Sequence, residues 1–247
     1  MVTLRKAALK TLNTGLDIAG LELVRRGERD YRKSFLSLRK TLQEAKRAGV
    51  SVGDYVDLKH QVPGATQATV ERMVEIGVFS PKINSVCEIG PGSGRYLEKV
   101  LRRCTPCSYE IYETARDWSD WLGQTYPVRA HEADGRSLNQ TADQSVDLVH
   151  AHKVFVYLPV VVTCRYFNEM IRVARRGSRI VFDIFSEQCM TDPEMEKWVA
   201  SGLHFPSMLP RDFVIGFFAS RGVSLQESFF ACMKPGQSEY LVFIKAG

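Results

Sequence analysis

The stretch Val86-Cys87-Glu88-Ile89-Gly90-Pro91-Gly92-Ser93-Gly94 constrains this 247-residue chain more than any other. An apolar run ends in a carboxylate and then breaks into three glycines at alternate positions. Glycine permits both a sharp turn and the close approach of bare backbone to a ligand. The residues that follow, from Arg95 to about Arg103, predict a helix whose first amides point at the same spot. A strand, a glycine loop and a helix in that order predict an α/β unit built around a bound molecule.

The spacing narrows the molecule. A dinucleotide fingerprint needs G-x-G-x-x-G, with its third glycine where the helix packs on the strand. Here that position is Arg95, and the third glycine comes one residue early at Gly94. A carboxylate at Glu88 would face a pyrophosphate, which disfavours a nicotinamide cofactor. A ligand carrying an ammonium group and a sulfonium would favour it.

Beyond Ile83 the chain alternates strands and helices. Strands are expected at about 84–89, 108–114, 127–132, 145–151 and 178–185, with helices near 95–103, 115–124 and 162–175. Such alternation argues a parallel sheet covered on both faces. A helix near 211–221 opens at Pro210, and two strands follow at about 223–232 and 239–245. The turn Lys234-Pro235-Gly236-Gln237 joins them so tightly that they must be antiparallel. The fold class expected is therefore α/β: a Rossmann-like sheet of seven strands, mostly parallel, with a C-terminal antiparallel hairpin and an N-terminal helical extension.

That extension carries its own signals. Helical periodicity runs through 4–24, and a second amphipathic helix is expected from about Glu28 to Ala48. Residues 51–65, with Gly53, Pro63 and Gly64, read as a loop. Thr66 or Thr69 then caps a helix ending near Gly77. The division expected is an arm and loop over 1–65, acting as a lid or oligomer contact, and a main domain over 66–247. Residues 1–50 hold twelve Lys and Arg against five Asp and Glu, so the net charge of +5 is concentrated there. A solvated helix face is the plain reading; docking to an anionic partner is the alternative. No apolar run approaches a membrane span, and the first ten residues lack the core and cleavage site of a secretory signal. The six cysteines suit a reducing cytoplasmic setting. The pair Cys104 and Cys107 closes a helix before a strand, which is the wrong place for a redox motif.

The pattern E-x-G-x-G-x-G over Glu88 to Gly94 resembles the first motif of class I S-adenosylmethionine-dependent methyltransferases. With the order of the later motifs and the seven-strand sheet, the resemblance covers roughly residues 80–247. It implies that Glu88, Gly90, Gly92 and Gly94 cradle the amino acid part of S-adenosyl-L-methionine, whose product is S-adenosyl-L-homocysteine. An acid closing the second strand binds the ribose hydroxyls in that family. Glu113 stands there, with the mid-strand Glu110 as its rival. Asp134 and Gly135, just past the third strand, are placed to hold adenine. The fourth strand ends at Ala151, where the methyl group is expected.

The acceptor is less constrained. His150 and His152 flank Ala151 and titrate in the range a general base needs. Alternate strand residues share a face, so both rings point one way if the strand continues through His152. A divalent metal such as Mg is the alternative to a base, with Asp183 and Glu187 as ligands beside either histidine; no metal site is assigned. The Asn-Pro-Pro-Tyr motif of base-modifying relatives is missing, which argues against nucleic acid as substrate. Trp198, His204, Phe205 and Met208 in the insert 186–210, together with Tyr157, Arg165 and Tyr166, are pocket candidates. The expectation is an O-methyltransferase of a small hydroxylated metabolite, a sugar or glycoside, with His152 or His150 as base and a homodimer formed through the N-terminal helices. The rivals are an RNA or protein methyltransferase docking through the basic arm, and a non-catalytic partner subunit.

Overall fold

The computed structural model describes residues 36–80, 82–202, 206–233 and 236–247. The expected helix over 4–24, the first part of the next one, His204, Phe205 and the Lys234-Pro235 step lie outside them. Seven strands form one sheet: β1 Ser85–Ile89, β2 Ser108–Glu113, β3 Arg129–Glu132, β4 Val146–Ala151, β5 Ala174–Ile184, β6 Val223–Cys232 and β7 Gln237–Lys245. Their order is β3-β2-β1-β4-β5-β7-β6. The first five are parallel, and β7 runs antiparallel to both of its neighbours. The chain steps one way from β1 to β3 and the other way from β4 onward. A crevice therefore opens between the ends of β1 and β4, the switch point at which such sheets bind ligands.

Strand alternation sorts the core. Cys87, Ile89, Tyr112, Val149 and Phe182 face one layer, with helices α6 (Val160–Val173) and α8 (Arg211–Ala219) supplying Phe167, Met170, Val214 and Phe218. Val86, Tyr109, Ile111, Leu148 and Tyr240 face the other, under Val70 and Met73 of α3 (Ala65–Glu75) and Tyr96, Leu97 and Val100 of α4 (Arg95–Leu101). Glu88 and His150 lie in register on β1 and β4 and share this second face. Helix α5 (Arg116–Thr125) adds Leu122 to the same cluster.

The N-terminal segment departs from expectation. Helix α1 is Leu38–Ala48, but the presumed loop contains a second helix, α2, over Val52–His60. Ser51 caps it, its hydroxyl accepting from the Asp54 amide at 3.1 Å. Gly53, read as a breaker, is a crossing point: a Cβ there would lie 2.9 Å from the Arg95 Cα. Asp57 of α2 pairs with Arg95 at 2.9 Å and accepts from the Thr66 hydroxyl at 2.6 Å. Lys99 pairs with Asp54 at 2.8 Å. Removing one partner of a buried pair such as Asp57–Arg95 costs about 3–5 kcal/mol, so these contacts hold the segment firmly to α4. Thr66 and Thr69 are thus not caps. Gly64 occupies the N-cap of α3, and the Thr69 hydroxyl donates to the Ala65 carbonyl at 2.8 Å.

Two further boundaries differ. β5 starts at Ala174, so Arg175-Arg176-Gly177 opens the strand rather than forming a separate turn. Arg175 binds Asp147 at 3.1 Å, where the β4–β5 register shifts. The insert contains a helix, α7 (Asp192–Ser201), capped by Thr191 and Glu194. No helix among the described residues is long and apolar enough to cross a membrane.

Candidate functional site

A cavity of about 390 Å³ opens at the switch point. The loop after β1 gives it Gly90, Pro91, Gly92 and Ser93, and the strand ends give it Glu88 and Glu113. Leu36, Val56, His60 and Gln61 of the N-terminal segment close over it, and the Trp118 indole donates to the Leu36 carbonyl at 3.0 Å. His152, Lys153, Tyr157 and Tyr166 line another part of the wall.

The three glycines have distinct duties. All lie at positive φ, near 61°, 54° and 72° for Gly90, Gly92 and Gly94. A Cβ on Gly90 would meet Val154 at 2.8 Å, and one on Gly94 would meet Leu122 at 2.7 Å. Over Gly92 nothing lies within 4 Å. Gly90 and Gly94 are therefore fixed by packing, and Gly94 caps α4 without lining the cavity. Gly92 faces open space. Its amide donates to Glu113 Oε2 at 2.8 Å, while Glu113 Oε1 accepts from the Ala115 amide at 2.8 Å. Burial raises the Glu113 carboxyl above its usual range, and these backbone bonds oppose the rise.

The remaining sequence candidates divide. Gly135 lines the cavity at φ 76°. Asp134 does not; its Oδ1 accepts from the Arg136 and Ser137 amides at 2.9 and 2.8 Å and so shapes its own turn. Ala151 turns its methyl into the core of the first layer. Glu110 is taken up by His131 at 2.9 Å on the face away from Glu88. His150 is fully buried behind His152 and off the cavity wall, whereas His152 is on it. Burial lowers His150 to about 3 and holds His152 well below its ordinary range, with His150, Arg95 and Lys153 adding to the effect. Both rings are neutral at physiological pH.

The histidines belong to a longer chain of contacts. Tyr109 donates to Glu88 Oε2 at 2.6 Å and meets His150 Nε2 at 3.1 Å. His150 Nδ1 lies 2.9 Å from His152 Nε2, and His152 Nδ1 lies 3.1 Å from the Tyr240 hydroxyl. Tyr240 reaches Tyr96 at 3.2 Å, and the Tyr96 ring stacks on His152 at 3.9 Å. The three tyrosines were invisible as site residues in the sequence, because they come from β2, α4 and β7. Lys153 was also missed. It sits at φ 57° just past β4, with its amide donating to Asp183 Oδ1 at 2.6 Å and its ammonium 3.1 Å from Asp183 Oδ2. A non-glycine residue at positive φ costs energy and clusters at functional sites.

Burial raises Glu88 to about 8, partly opposed by the Tyr109 hydroxyl. No cation pairs with it among the described residues. Glu187 accepts from the Arg211 amide at 3.0 Å, and Asp183 is committed to Lys153. Among the described residues no group of three or more His, Cys, Asp or Glu is arranged to hold a metal ion.

Residues 87–182, from the glycine loop to the fifth strand, match the family model of a methyltransferase domain. Over this central part the chain is similar to a methyltransferase domain. No curated protein is similar enough to count as a relative. Among solved structures, the fold of the domain and its extension is similar to magnesium protoporphyrin IX methyltransferase from Synechocystis, with a TM-score of 0.58, 11% identity, and 98% of this chain and 100% of that one covered. The N-methyltransferase NodS from Bradyrhizobium japonicum, solved with S-adenosyl-L-homocysteine, gives 0.57 at 14% identity, covering 84% and 99%. A SAM-dependent methyltransferase from Methanosarcina mazei gives 0.52 at 11%, covering 65% and 92%. At these identities the likeness is one of fold: the chain has the seven-stranded, Rossmann-like sheet of these methyltransferase structures.

Proposed function

We propose that this chain transfers the methyl group of S-adenosyl-L-methionine to a hydroxyl of a small metabolite, a sugar or glycoside. The observation that carries the cofactor reading is Glu88. A carboxylate buried on the wall of a cavity, without a cation of its own, lacks the partner that a ligand ammonium supplies. Glu113 stands across the glycine loop as a second acceptor, suited to a ribose diol. Open space over Gly92 admits the ligand between them. The donor supplies an electrophilic methyl on sulfur.

This chain's residues do the rest. Glu88 and Glu113 fix the ends of the donor, Gly135 lets the ring lie against backbone, and Tyr112 and Trp118 give apolar wall. Asp134 holds the turn that presents Gly135. Alignment of acceptor, methyl and sulfur supplies much of the rate in such a displacement. Leu36, α2 and Gln61 cover part of the cavity, which favours a small acceptor over a polymer. His152, backed by His150, is the histidine at the acceptor end and is neutral, as a proton acceptor must be. Six free thiols suit a cytoplasmic setting.

Calorimetry with S-adenosyl-L-homocysteine and with a nicotinamide nucleotide tests the first half. Heat from the former and none from the latter is expected; the reverse ends the reading. Transfer of labelled methyl to a panel of glycosides, with and without chelator, tests the second half. Transfer abolished by chelator and untouched by His152→Ala would replace the base with a metal.

A further inference from the structure

The contacts on the α4 face of the sheet join into one unbroken chain: Glu88, Tyr109, His150, His152, Tyr240 and Tyr96. Its five links measure 2.6, 3.1, 2.9, 3.1 and 3.2 Å. It crosses the sheet from β2 to β7. It starts and finishes on the same cavity, since Glu88 and Tyr96 both line it, with His152 between them. Tyr109 and Tyr240 do not reach the wall, and every member is at least nine-tenths buried.

Proton bookkeeping shows what such a chain does. A tyrosine hydroxyl has one hydrogen, and a neutral imidazole has one N–H and one bare nitrogen. If Tyr109 donates to Glu88, then His150 must donate from Nε2 and receive at Nδ1. His152 must then donate from Nε2 and receive at Nδ1 from the Tyr240 hydroxyl, which turns away from Tyr96 and accepts from the Tyr96 hydroxyl instead. If instead Tyr240 donates onward to Tyr96, both histidines carry hydrogen on Nδ1, and Tyr109 donates to His150. Glu88 must then itself be protonated and donate to Tyr109. Outward donation at both ends at once leaves two bare nitrogens facing each other at 2.9 Å. A proton between them would make a buried imidazolium. The guanidinium of Arg95, 4.8 Å from the Tyr96 ring, and the Lys153 ammonium, 5.3 Å from the Tyr240 ring, oppose that charge. Asp57 and Asp183, the anions nearby, are committed to those two cations. The chain therefore has two complete hydrogen-bond orders, and they differ by one proton on Glu88.

We propose that these six side chains form a proton relay in which the acceptor's hydroxyl proton enters at Tyr96, the base His152 takes one from Tyr240, and a proton is delivered to Glu88. The inference rests on the reading of Glu88 as the carboxylate that holds the donor's ammonium. The acceptor oxygen's electron pair forms the new bond to carbon, and the carbon–sulfur pair goes to sulfur. The acceptor's proton replaces that of Tyr96 while each hydrogen along the chain moves one place, leaving Glu88 a neutral acid. The positive charge on sulfur and the negative charge on Glu88 disappear together. The relay thus couples methyl transfer to loss of the charge that grips the product. Tyr109, His150 and Tyr240 are positioning residues here, acting through Tyr96 and Glu88.

Nitrogen NMR of the histidine-labelled protein tests this without any acceptor, because it separates protonated from bare ring nitrogens. Raising the pH through the Glu88 carboxyl at about 8 moves the hydrogens of both His150 and His152 from Nδ1 to Nε2, with no imidazolium in between. His131, on the opposite face, keeps its form. S-adenosyl-L-homocysteine added at neutral pH makes the same switch. Tyr109→Phe severs the link to Glu88 and freezes both rings in one tautomer across the range. Glu88→Gln freezes them by removing the titrating group, and serves if the first variant does not fold. Rings that hold one tautomer in the native protein, that turn cationic, or that still switch in Tyr109→Phe overturn the relay. If S-adenosyl-L-homocysteine leaves the glycine-loop amides unmoved, the cofactor reading falls, while the pH series still decides the relay.

Discussion

Two glutamates on adjacent strands have opposite fates. Glu110 of β2 and Glu88 of β1 face opposite layers of the sheet, and each meets a tyrosine-and-histidine network. Glu110 accepts from Thr141 and pairs with His131 at 2.9 Å; Gln140 holds the other nitrogen of His131 at 3.0 Å, and Tyr112 binds Thr141 at 2.8 Å. That network closes on itself, and of its members only Tyr112 touches the cavity. Glu88 has a tyrosine and no cation, and its network ends on the cavity wall at both sides. The same residue types make a strut in one layer and, in the function proposed, a ligand seat in the other. What separates them is whether the network opens onto the cavity.

The largest effects should dissociate along this line. Losing a hydrogen bond to a charged group costs about 1.5–3 kcal/mol. Glu110→Ala should lower unfolding free energy by about that amount in a urea melt and leave the affinity for S-adenosyl-L-homocysteine unchanged. Glu88→Gln should do the reverse: the same span corresponds to about tenfold to hundredfold weaker binding, with little loss of stability. If both variants lose stability equally and binding equally, the two glutamates do not differ as argued.

The next effect is the pH dependence of stability without cofactor. Folded Glu88 keeps its proton up to about 8, whereas the unfolded group loses it near 4.5, so stability falls as pH rises between those values. Folded His150 refuses a proton down to about 3, and His152 is lowered too, whereas unfolded histidine takes one near 6.5; stability therefore falls as pH drops below 6.5. Two histidines outweigh one glutamate below 6.5, and above it Glu88 contributes a decline of up to about 1.4 kcal/mol per pH unit. These groups together place the optimum near 6.5. Thermal melts across the range should show a decline from there towards 8 that is clearly shallower in Glu88→Gln. A smaller companion effect is proton release. Ionising Glu88 on binding S-adenosyl-L-homocysteine at pH 7 frees up to about one proton, read from the dependence of the calorimetric heat on buffer ionisation enthalpy.

Much of this arrangement was legible in the sequence because its signals are local. The glycine loop, the strand before it and the parallel alternation need only period and punctuation, and Glu113 follows from its place at a strand end. Helix α7 also has a local signal: Thr191-Asp192-Pro193-Glu194 is a capping box with proline near the start. Helix α2 was hidden because Gly53 looks like a breaker until α4 lies against it. The relay was not legible. His150 and His152 stand out in β4, but Tyr96, Tyr109 and Tyr240 are ordinary core tyrosines until the sheet order brings β2 and β7 to either side of β1 and β4. The same holds for Arg95. One residue after Gly94 it argued against a dinucleotide, and the fold adds that it anchors the N-terminal segment through Asp57.

The finest test separates packing from binding within the glycine loop itself. Gly92 and Gly94 share positive φ, so an alanine at either carries backbone strain of about 1–2 kcal/mol. Gly94→Ala adds a clash with Leu122, and because Gly94 caps α4 away from the wall, its cost should show as stability while cofactor affinity stays near that of the native protein. Gly92→Ala meets no protein atom, so its melt should register the strain alone. Its methyl instead enters the space beside Glu113, and the loss should therefore be larger in S-adenosyl-L-homocysteine affinity than in stability. Equal affinity losses from the two variants would mean that the loop as a whole, rather than the gap over Gly92, admits the ligand, and the contrast between strut and seat would no longer extend to the loop.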